Sequence, residues 1–362
     1  MASTPLLRLA QWYWPGRSPL PDACWVITTT DHARAAHGLL AALQGAREGP
    51  LALLFLDEGR YEGPLPWARL PALGASRILS RLKPRCLLCL DDDPRARALA
   101  AERSCPAVWV NARSSDLLSL GAVAVASEPV ASRIGGGVVT GDPCVEWPAA
   151  PAAGPAEPAF CERFRSLREA GRPVLYFADT EEGEEALAYA TFLALPAGRG
   201  GLMALAPRDP ARHEGVYRDA MKYHLSTVRH ARLMTSELPP RTRVYYIESA
   251  EASRAMHACA DLVVAGGTLT PGANGSAEIL YRGGALLVGP YRSDPWLAAA
   301  VCAEVVIPCE KVADLGRICT AWLADGSGRT ARAQALSRWL VLQADARARF
   351  VAWFAEVSRS LP

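Results

Sequence analysis

Lysine is almost missing from this chain: Lys83, Lys222 and Lys311 are the only three in 362 residues, so positive charge rests on arginine and the formal net charge is only +2. The arginines gather into no basic stripe, which points to coding bias and excludes the electrostatic footprint of a DNA- or RNA-binding protein. No Gly-x-Ser-x-Gly elbow occurs, so Ser-His-Asp hydrolase chemistry has no place for its nucleophile. A P-loop is missing too: Gly326-Ser327-Gly328-Arg329-Thr330 lacks the lysine and the spacing, and is expected to join two helices. The N-terminus has no uninterrupted apolar run. Arg8, Arg17, Pro5, Pro15, Pro19 and Pro21 break the stretch Met1 to Asp22, which excludes a signal peptide or spanning helix there. Trp12, Tyr13 and Trp14 read as a surface-packed aromatic cluster in preference to an interfacial anchor.

The ten cysteines form no framework. Cys86 and Cys89 fall in an apolar run that reads as a strand, where residues three apart face opposite ways and cannot share a metal. Cys24, Cys259, Cys302 and Cys319 also lie in apolar segments, as small buried hydrophobes do. A reducing cytoplasm and no disulfides are expected. His213, His224 and His230 are spaced unlike a helical metal pair and read as surface or core residues. Asp91 and Asp93 match an Asp-x-Asp metal pattern only superficially. No metal and no cofactor are expected.

What is present is apolar residue, half of the chain, enough for two domains each with its own core. Short apolar runs alternate with helical patterns throughout, the mark of parallel sheets with crossover helices. Strands are expected at 24–28, 51–56, 86–90, 107–110, 122–126 and 138–140, with Asp31 as N-cap of a helix running to about Leu43. A stretch rich in Pro and Ala, 147–158, reads as a linker. Strands resume at 173–177, 201–206, 243–247, 261–264, 285–288 and 304–307. The expected organisation is an N-terminal Rossmann-like domain over 1–146, the linker, and a second Rossmann-like domain over 159–362, with a cleft between strand ends. The amphipathic tail 330–360 either braces the first domain or packs on its own.

The richest string is Ala260-Asp261-Leu262-Val263-Val264-Ala265-Gly266-Gly267-Thr268, followed by Glu278 and the strand Leu286-Leu287-Val288-Gly289-Pro290. A buried strand, a Gly-Gly-hydroxyl loop and a helix bearing one carboxylate suit a sugar-nucleotide site of the GT-B type. Gly266 and Gly267 would admit a phosphate to backbone N–H groups, and Glu278 would accept from a ribose. A tight strand-to-helix turn is the bland alternative.

Several strings, in order, resemble the Kdo (3-deoxy-D-manno-octulosonic acid) transferases. Val110-Asn111-Ala112-Arg113-Ser114 resembles their N-A-R-hydrophobic-S. Val139-Thr140-Gly141-Asp142-Pro143 resembles V-T-G-N, and Asp179-Thr180-Glu181-Glu182-Gly183-Glu184-Glu185 resembles S-T-H-x-G-E-E. Ala206-Pro207-Arg208-Asp209-Pro210 resembles P-R-H-P, and 260–290 their A-D-hydrophobic-G-G-S region. The resemblance spans roughly residues 23 to 310. It implies a GT-B fold with a C-terminal bracing helix and metal-independent transfer of a sugar from a nucleotide donor, CMP-Kdo or a re-specified one. The implied acceptor is a bacterial glycolipid or polysaccharide, and the implied place is the cytoplasm, with at most peripheral contact at the inner membrane.

On this resemblance the donor side would comprise Arg208, Gly266, Gly267, Thr268, Asn274 and Glu278, and the acceptor side Asp91, Asp93, Asn111 and Arg113. Departures fall at the chemistry. The family's Ser-x-Gly-Glu turn, whose Glu acts as base, reads Thr28-Thr29-Thr30-Asp31-His32, so Asp31 or His32 would replace it, unless Asp31 serves only as a cap. The E-T-E-L-W-P-N string reads Asp91-Asp92-Asp93-Pro94, an acceptor contact or a solvated turn. Two donor-side histidines become Glu181 and Asp209, and D-T-M-G-E becomes Glu248-Ser249-Ala250-Glu251-Ala252. Glu181, Glu182, Glu184 and Glu185 suit the positive end of a helix. A degenerate homologue acting as a scaffold or regulator of an envelope polysaccharide pathway is the alternative.

Overall fold

The computed structural model describes residues 23–46, 49–70, 82, 84–101, 105–147, 158–196, 201–233 and 237–360. The N-terminal aromatic cluster and most of the 147–158 linker lie outside them. The chain divides into two compact units, one formed by 1–147 with 342–362 and the other by 148–341.

In the first unit, seven strands occur among the described residues: β1 (Cys24–Thr28), β2 (Leu51–Phe55), β3 (Trp67–Arg69), β4 (Cys86–Cys89), β5 (Ala107–Trp109), β6 (Ala122–Val125) and β7 (Val138–Val139). They lie in the order β3-β2-β1-β4-β5-β6-β7, and the pairings are parallel. The order reverses between β1 and β4, the place where such a sheet opens a crevice at its strand ends. The strands are continuous apolar runs because helices cover both faces. Cys86 packs into one face's core and Cys89 into the other, as a period of two requires.

The second unit repeats the plan with β8 (Val174–Thr180), β9 (Leu202–Pro207), β10 (Thr227–Arg229), β11 (Val244–Tyr246), β12 (Leu262–Ala265), β13 (Leu286–Val288) and β14 (Ile307–Pro308). Their order is β10-β11-β9-β8-β12-β13-β14, with the reversal between β8 and β12. Two tandem Rossmann-like units in an α/β chain are thus present, the element content of the GT-B class. Edge strands β3 and β10 carry too few apolar residues to be read in advance.

Five expectations are corrected. The first helix breaks at Ala36 into Thr30–Ala35 and His37–Ala46. The second unit does not run to residue 362: helix Ala346–Ser360 belongs to the first unit, where Phe350 and Phe354 join Leu39, Leu40 and Leu43 in one core. Gly326 to Thr330 opens the helix Gly326–Gln343, with Asp325 Oδ1 accepting from Gly328 N at 2.8 Å. Finally, Cys161 and Cys259 form a disulfide, because the short helix Pro158–Glu162 lies against the C-terminal end of helix Ala250–Cys259. Cys302, expected inside, is exposed.

His257, on that same helix, is 1% exposed. Its ring sits edge-on to Tyr176 at 5.2 Å, and neither nitrogen makes a hydrogen bond of normal geometry. Burial, aided by the Arg282 charge and slightly opposed by the Gly283 backbone, pushes its pKa down to about 3. The unfolded chain therefore binds a proton near pH 6.5 that the folded chain refuses, so stability falls as pH drops below 6.5. The slope is about 1.4 kcal/mol per pH unit, or about 2 kcal/mol by pH 5. Urea unfolding between pH 7.5 and 5 should show this slope and should lose it in His257→Phe; an unchanged slope would refute the assignment.

Candidate functional site

Two sites form, one at the strand ends of each unit. In the first, β1 runs to Thr28 and the helix opens at Thr30. Thr29 is its N-cap, Oγ1 accepting from His32 N at 3.2 Å. Asp31 is therefore not the cap. It occupies the first turn, where a carboxylate suits the helix dipole, and is held by Arg34 at 2.5 Å as an exposed pair. Asp57, just beyond β2, closes the helix start instead: its carboxylate accepts from Thr30 N at 3.0 Å and from Thr30 Oγ1 at 2.7 Å. Sequence reading missed Asp57, since only the parallel pairing of β1 with β2 brings it there.

Across the β1/β4 reversal, His32 Nδ1 lies 2.9 Å from Asp91 Oδ1. The other oxygen of Asp91 accepts from Thr29 N at 2.9 Å and Thr28 Oγ1 at 3.0 Å. Thr29 N and Thr28 Oγ1 thus fix one carboxylate, and that carboxylate fixes the imidazole. With Nδ1–H donated to Asp91, the neutral ring presents Nε2 as a base. About a quarter of each side chain remains open to solvent. Burial works to lower the His32 pKa, but the Asp91 hydrogen bond and charge, joined by the Asp142 charge, carry it above 6.5. Burial works to raise that of Asp91, and His32, Thr29 and Thr28 overcome it, so the Asp91 pKa is lowered.

The remaining acceptor-side residues stand apart from this pair. Asp93 accepts from Arg95 N at 2.7 Å and from the Arg95 guanidinium at 3.1 Å, closing the start of helix Pro94–Ala101. There its carboxylate serves the turn before the helix. Asn111 takes a left-handed φ of 51° after β5 and donates from Nδ2 to Asp142 Oδ1 at 2.8 Å. Arg113 is exposed, its carbonyl accepting from Arg133 at 2.9 Å.

In the second unit the Gly-Gly loop is already filled. Glu184, fully buried, accepts from Gly267 N at 2.7 Å, Leu269 N at 2.8 Å and Glu181 N at 2.8 Å. Gly266 donates to Ala178 O at 2.8 Å, and a Cβ there would come within 2.2 Å of Asp179 O. Thr268 Oγ1 donates to Ala265 O at 2.6 Å and accepts from Gly289 N at 2.9 Å. The expected phosphate contacts of Gly266, Gly267 and Thr268 are corrected accordingly: an internal carboxylate and the neighbouring strands use those groups. Nor do the glutamates act through the dipole alone, for Glu185 pairs with Arg212 at 2.8 Å and Glu181 with Arg208 at 2.7 Å.

Arg208 also donates to Asn274 O at 2.5 Å. It lines a cavity of about 100 Å³ with Asp179, Glu248, Ser249, Arg254 and Arg282, at the C-terminal ends of β8, β9 and β11. Asn274, whose side chain is exposed, and Glu278, 70% exposed, are not among its lining residues. Asp209, where the resemblance places a histidine, turns away to accept from Ala211 N at 2.9 Å. Three arginines meet here, but Arg282 is bound to Asp179 at 2.6 Å and Arg208 to Glu181, while Arg254 is exposed and without an ion pair among the described residues. Ser249 caps helix Ala250–Cys259, accepting from Ala252 N at 3.1 Å, so the positive end of that helix adjoins the cavity. Ser249 was visible within the Glu248-to-Ala252 string; Arg254 and Arg282 carried no sequence signal.

Among the described residues no cluster of three or more His, Cys, Asp or Glu gathers as a metal site, and no helix is long and apolar enough to cross a membrane. No family model matches the chain, and no curated protein matches it. Among solved structures, the chain is similar to the C-terminal CMP-Kdo binding domain of WaaA from Acinetobacter baumannii, at 20% identity over 51% of this chain and 99% of that one, with a TM-score of 0.42. It is also similar to Acinetobacter baumannii MurG, at 14% identity over 93% of this chain and all of that one, with a TM-score of 0.38. A mutant O-GlcNAc transferase from Thermobaculum terrenum shares 13% identity over 96% of this chain and 71% of its own, with a TM-score of 0.36.

Proposed function

We propose that this chain is a GT-B-type glycosyltransferase that moves a sugar from a nucleotide donor to a hydroxyl of a bacterial glycolipid or polysaccharide. The observation that carries the reading is the His32–Asp91 pair at the β1/β4 reversal. His32 Nε2 would take the acceptor's hydroxyl proton as the oxygen attacks the anomeric carbon and the bond to the nucleotide phosphate breaks. Asp91 holds the tautomer and stabilises the imidazolium that forms. The arginine-lined cavity of the second unit would hold the donor phosphate, with CMP-Kdo or a re-specified nucleotide sugar as donor. The proposed place of action is the cytoplasm, at most peripheral to the inner membrane.

A second reading, a catalytically degenerate scaffold or regulator in an envelope polysaccharide pathway, is favoured by a different observation. Glu184 fills the Gly-Gly loop and Glu181 neutralises Arg208, leaving less positive charge for a phosphate. A thermal-shift and calorimetric screen against CMP, UDP, GDP and ADP with their sugar conjugates separates the two. Saturable binding supports the enzyme and identifies its donor; no binding at millimolar nucleotide supports the scaffold. In the enzyme case Arg254→Ala should weaken binding by about 1.5 to 3 kcal/mol. Arg208→Ala should cost less, because Glu181 already shares its charge.

A further inference from the structure

We infer that Cys161 and Cys259 form a reversible thiol–disulfide switch that fixes or releases the C-terminal end of helix Ala250–Cys259. The N-terminal end of that helix walls the arginine-lined cavity. The disulfide joins residues 98 apart in sequence, so it ties the start of the second unit to a helix from its middle. The switch stands independently of the activity proposed above.

The two sulfurs are unequally reachable. Cys161, on helix Pro158–Glu162, is half-buried, whereas Cys259 is 2% exposed. Exchange must therefore enter at Cys161. A dithiol's thiolate attacks Cys161 Sγ, the protein S–S bond breaks, and Cys259 leaves as a thiolate that takes a proton. The reductant's second thiol then resolves the mixed disulfide, releasing the Cys161 thiol and a cyclic disulfide. Two electrons pass from the dithiol to the protein pair. The reverse reaction takes a small-molecule disulfide as oxidant and returns two molecules of its thiol.

The reduced state is accommodated locally. Cys259 Sγ lies 3.4 Å from the Ala255 carbonyl, which would accept the new S–H, and the Arg168 guanidinium holds the Cys259 carbonyl at 3.0 Å. Phe160, beside Cys161, keeps its ring contacts with Phe164 and His230, both at 5.9 Å. Reduction thus removes one covalent tie without emptying the core. At the other end of the helix, Ser253 bonds the Tyr176 hydroxyl at 2.7 Å and lies 3.4 Å from Asp179, so the tie at Cys259 and the cavity wall share one rigid element. Of the eight cysteines outside the disulfide, seven are buried and Cys302 is exposed, which leaves Cys302 as the competing reactive thiol.

The test uses the full chain carrying Cys302→Ser, oxidised with glutathione disulfide, alkylated and mapped by peptide mass. The expected result is a linked pair of Cys161 and Cys259 peptides, reduced by dithiothreitol at a rate that rises about tenfold for tenfold more reagent. Hydrogen exchange in the last turn of helix Ala250–Cys259 should quicken by about tenfold or more on reduction. Cys161→Ser in the same background should show the fast exchange under both conditions. The proposal is overturned if no linked pair forms, if reduction proceeds at a rate independent of dithiothreitol and so only after unfolding, or if exchange is unchanged by reduction.

Discussion

Replacing Glu184 with alanine is expected to destabilise the second unit by about 3 to 5 kcal/mol. The carboxylate is fully buried and accepts from Gly267 N, Leu269 N and Glu181 N. Its removal strands two buried donors and the half-buried Glu181 N–H, and a buried donor costs about 1 to 3 kcal/mol when left without a partner, partly offset by water entering the space. Glu184→Gln keeps the shape but sets an amide N–H against a loop N–H, so a loss of about 2 kcal/mol is expected. Urea unfolding of the full chain measures both. A loss below about 1 kcal/mol for the alanine variant would mean that solvent satisfies the loop. The Gly267 N–H groups would then be open to a donor phosphate after all.

The second large effect concerns catalysis. In a working enzyme His32→Ala should lower turnover by on the order of 10² to 10⁴, the range a positioned general base contributes. Asp91→Asn should approach the same loss, because an asparagine that donates toward Nδ1 selects the tautomer with its proton on Nε2. The pH profile supplies the sign. His32 acts as a base only when neutral, so kcat/KM should rise with pH through a midpoint above 6.5, since Asp91 and Asp142 hold the proton on. Without the Asp91 charge, burial is less opposed and the midpoint should move down. The pair's contribution to stability runs the other way: the share owed to protonated His32 is present below pH 6.5 and lost as pH rises through the raised pKa. The share owed to Asp91 is present above 3.8 and lost in acid as pH falls through its lowered pKa. Asp31→Asn provides the contrast. An exposed ion pair with Arg34 is worth about 0 to 1 kcal/mol, so turnover and melting temperature should both stay near those of the parent. Full activity in His32→Ala would remove this residue from the chemistry.

Much of the architecture was legible in the residues because a buried parallel strand leaves an unmistakable mark. Cys24–Thr28, Leu51–Phe55 and Leu262–Ala265 are continuous apolar runs between turn signals, and covering both faces of a sheet permits little else. Edge strands β3 and β10 escaped, since an edge needs neither length nor apolar sequence. The break at Ala36 escaped as well: residues on both sides favour helix, and the packing of Leu39, Leu40 and Leu43 with Phe350 and Phe354 of the C-terminal helix is a tertiary contact. The disulfide escaped because ten scattered cysteines carry no pairing information without a fold to bring two of them together.

At the sites the division is sharper. His32 and Asp91 were both visible as residues, one beside a strand-end turn and the other in an aspartate run, but nothing in sequence joined positions 59 residues apart. Their meeting is decided by strand order, which sets β1 beside β4 and puts both turns at one end of the sheet. The Gly-Gly loop shows the converse. Its glycines identified a place where backbone N–H groups converge, while the ligand of those groups, Glu184, was fixed only by the helix after β8 turning its first carboxylate inward. Sequence by itself determined where strands end and where carboxylates, imidazole and glycines are available. The tertiary structure decided which of them share a hydrogen bond, because that depends on distances across the sheet and not along the chain.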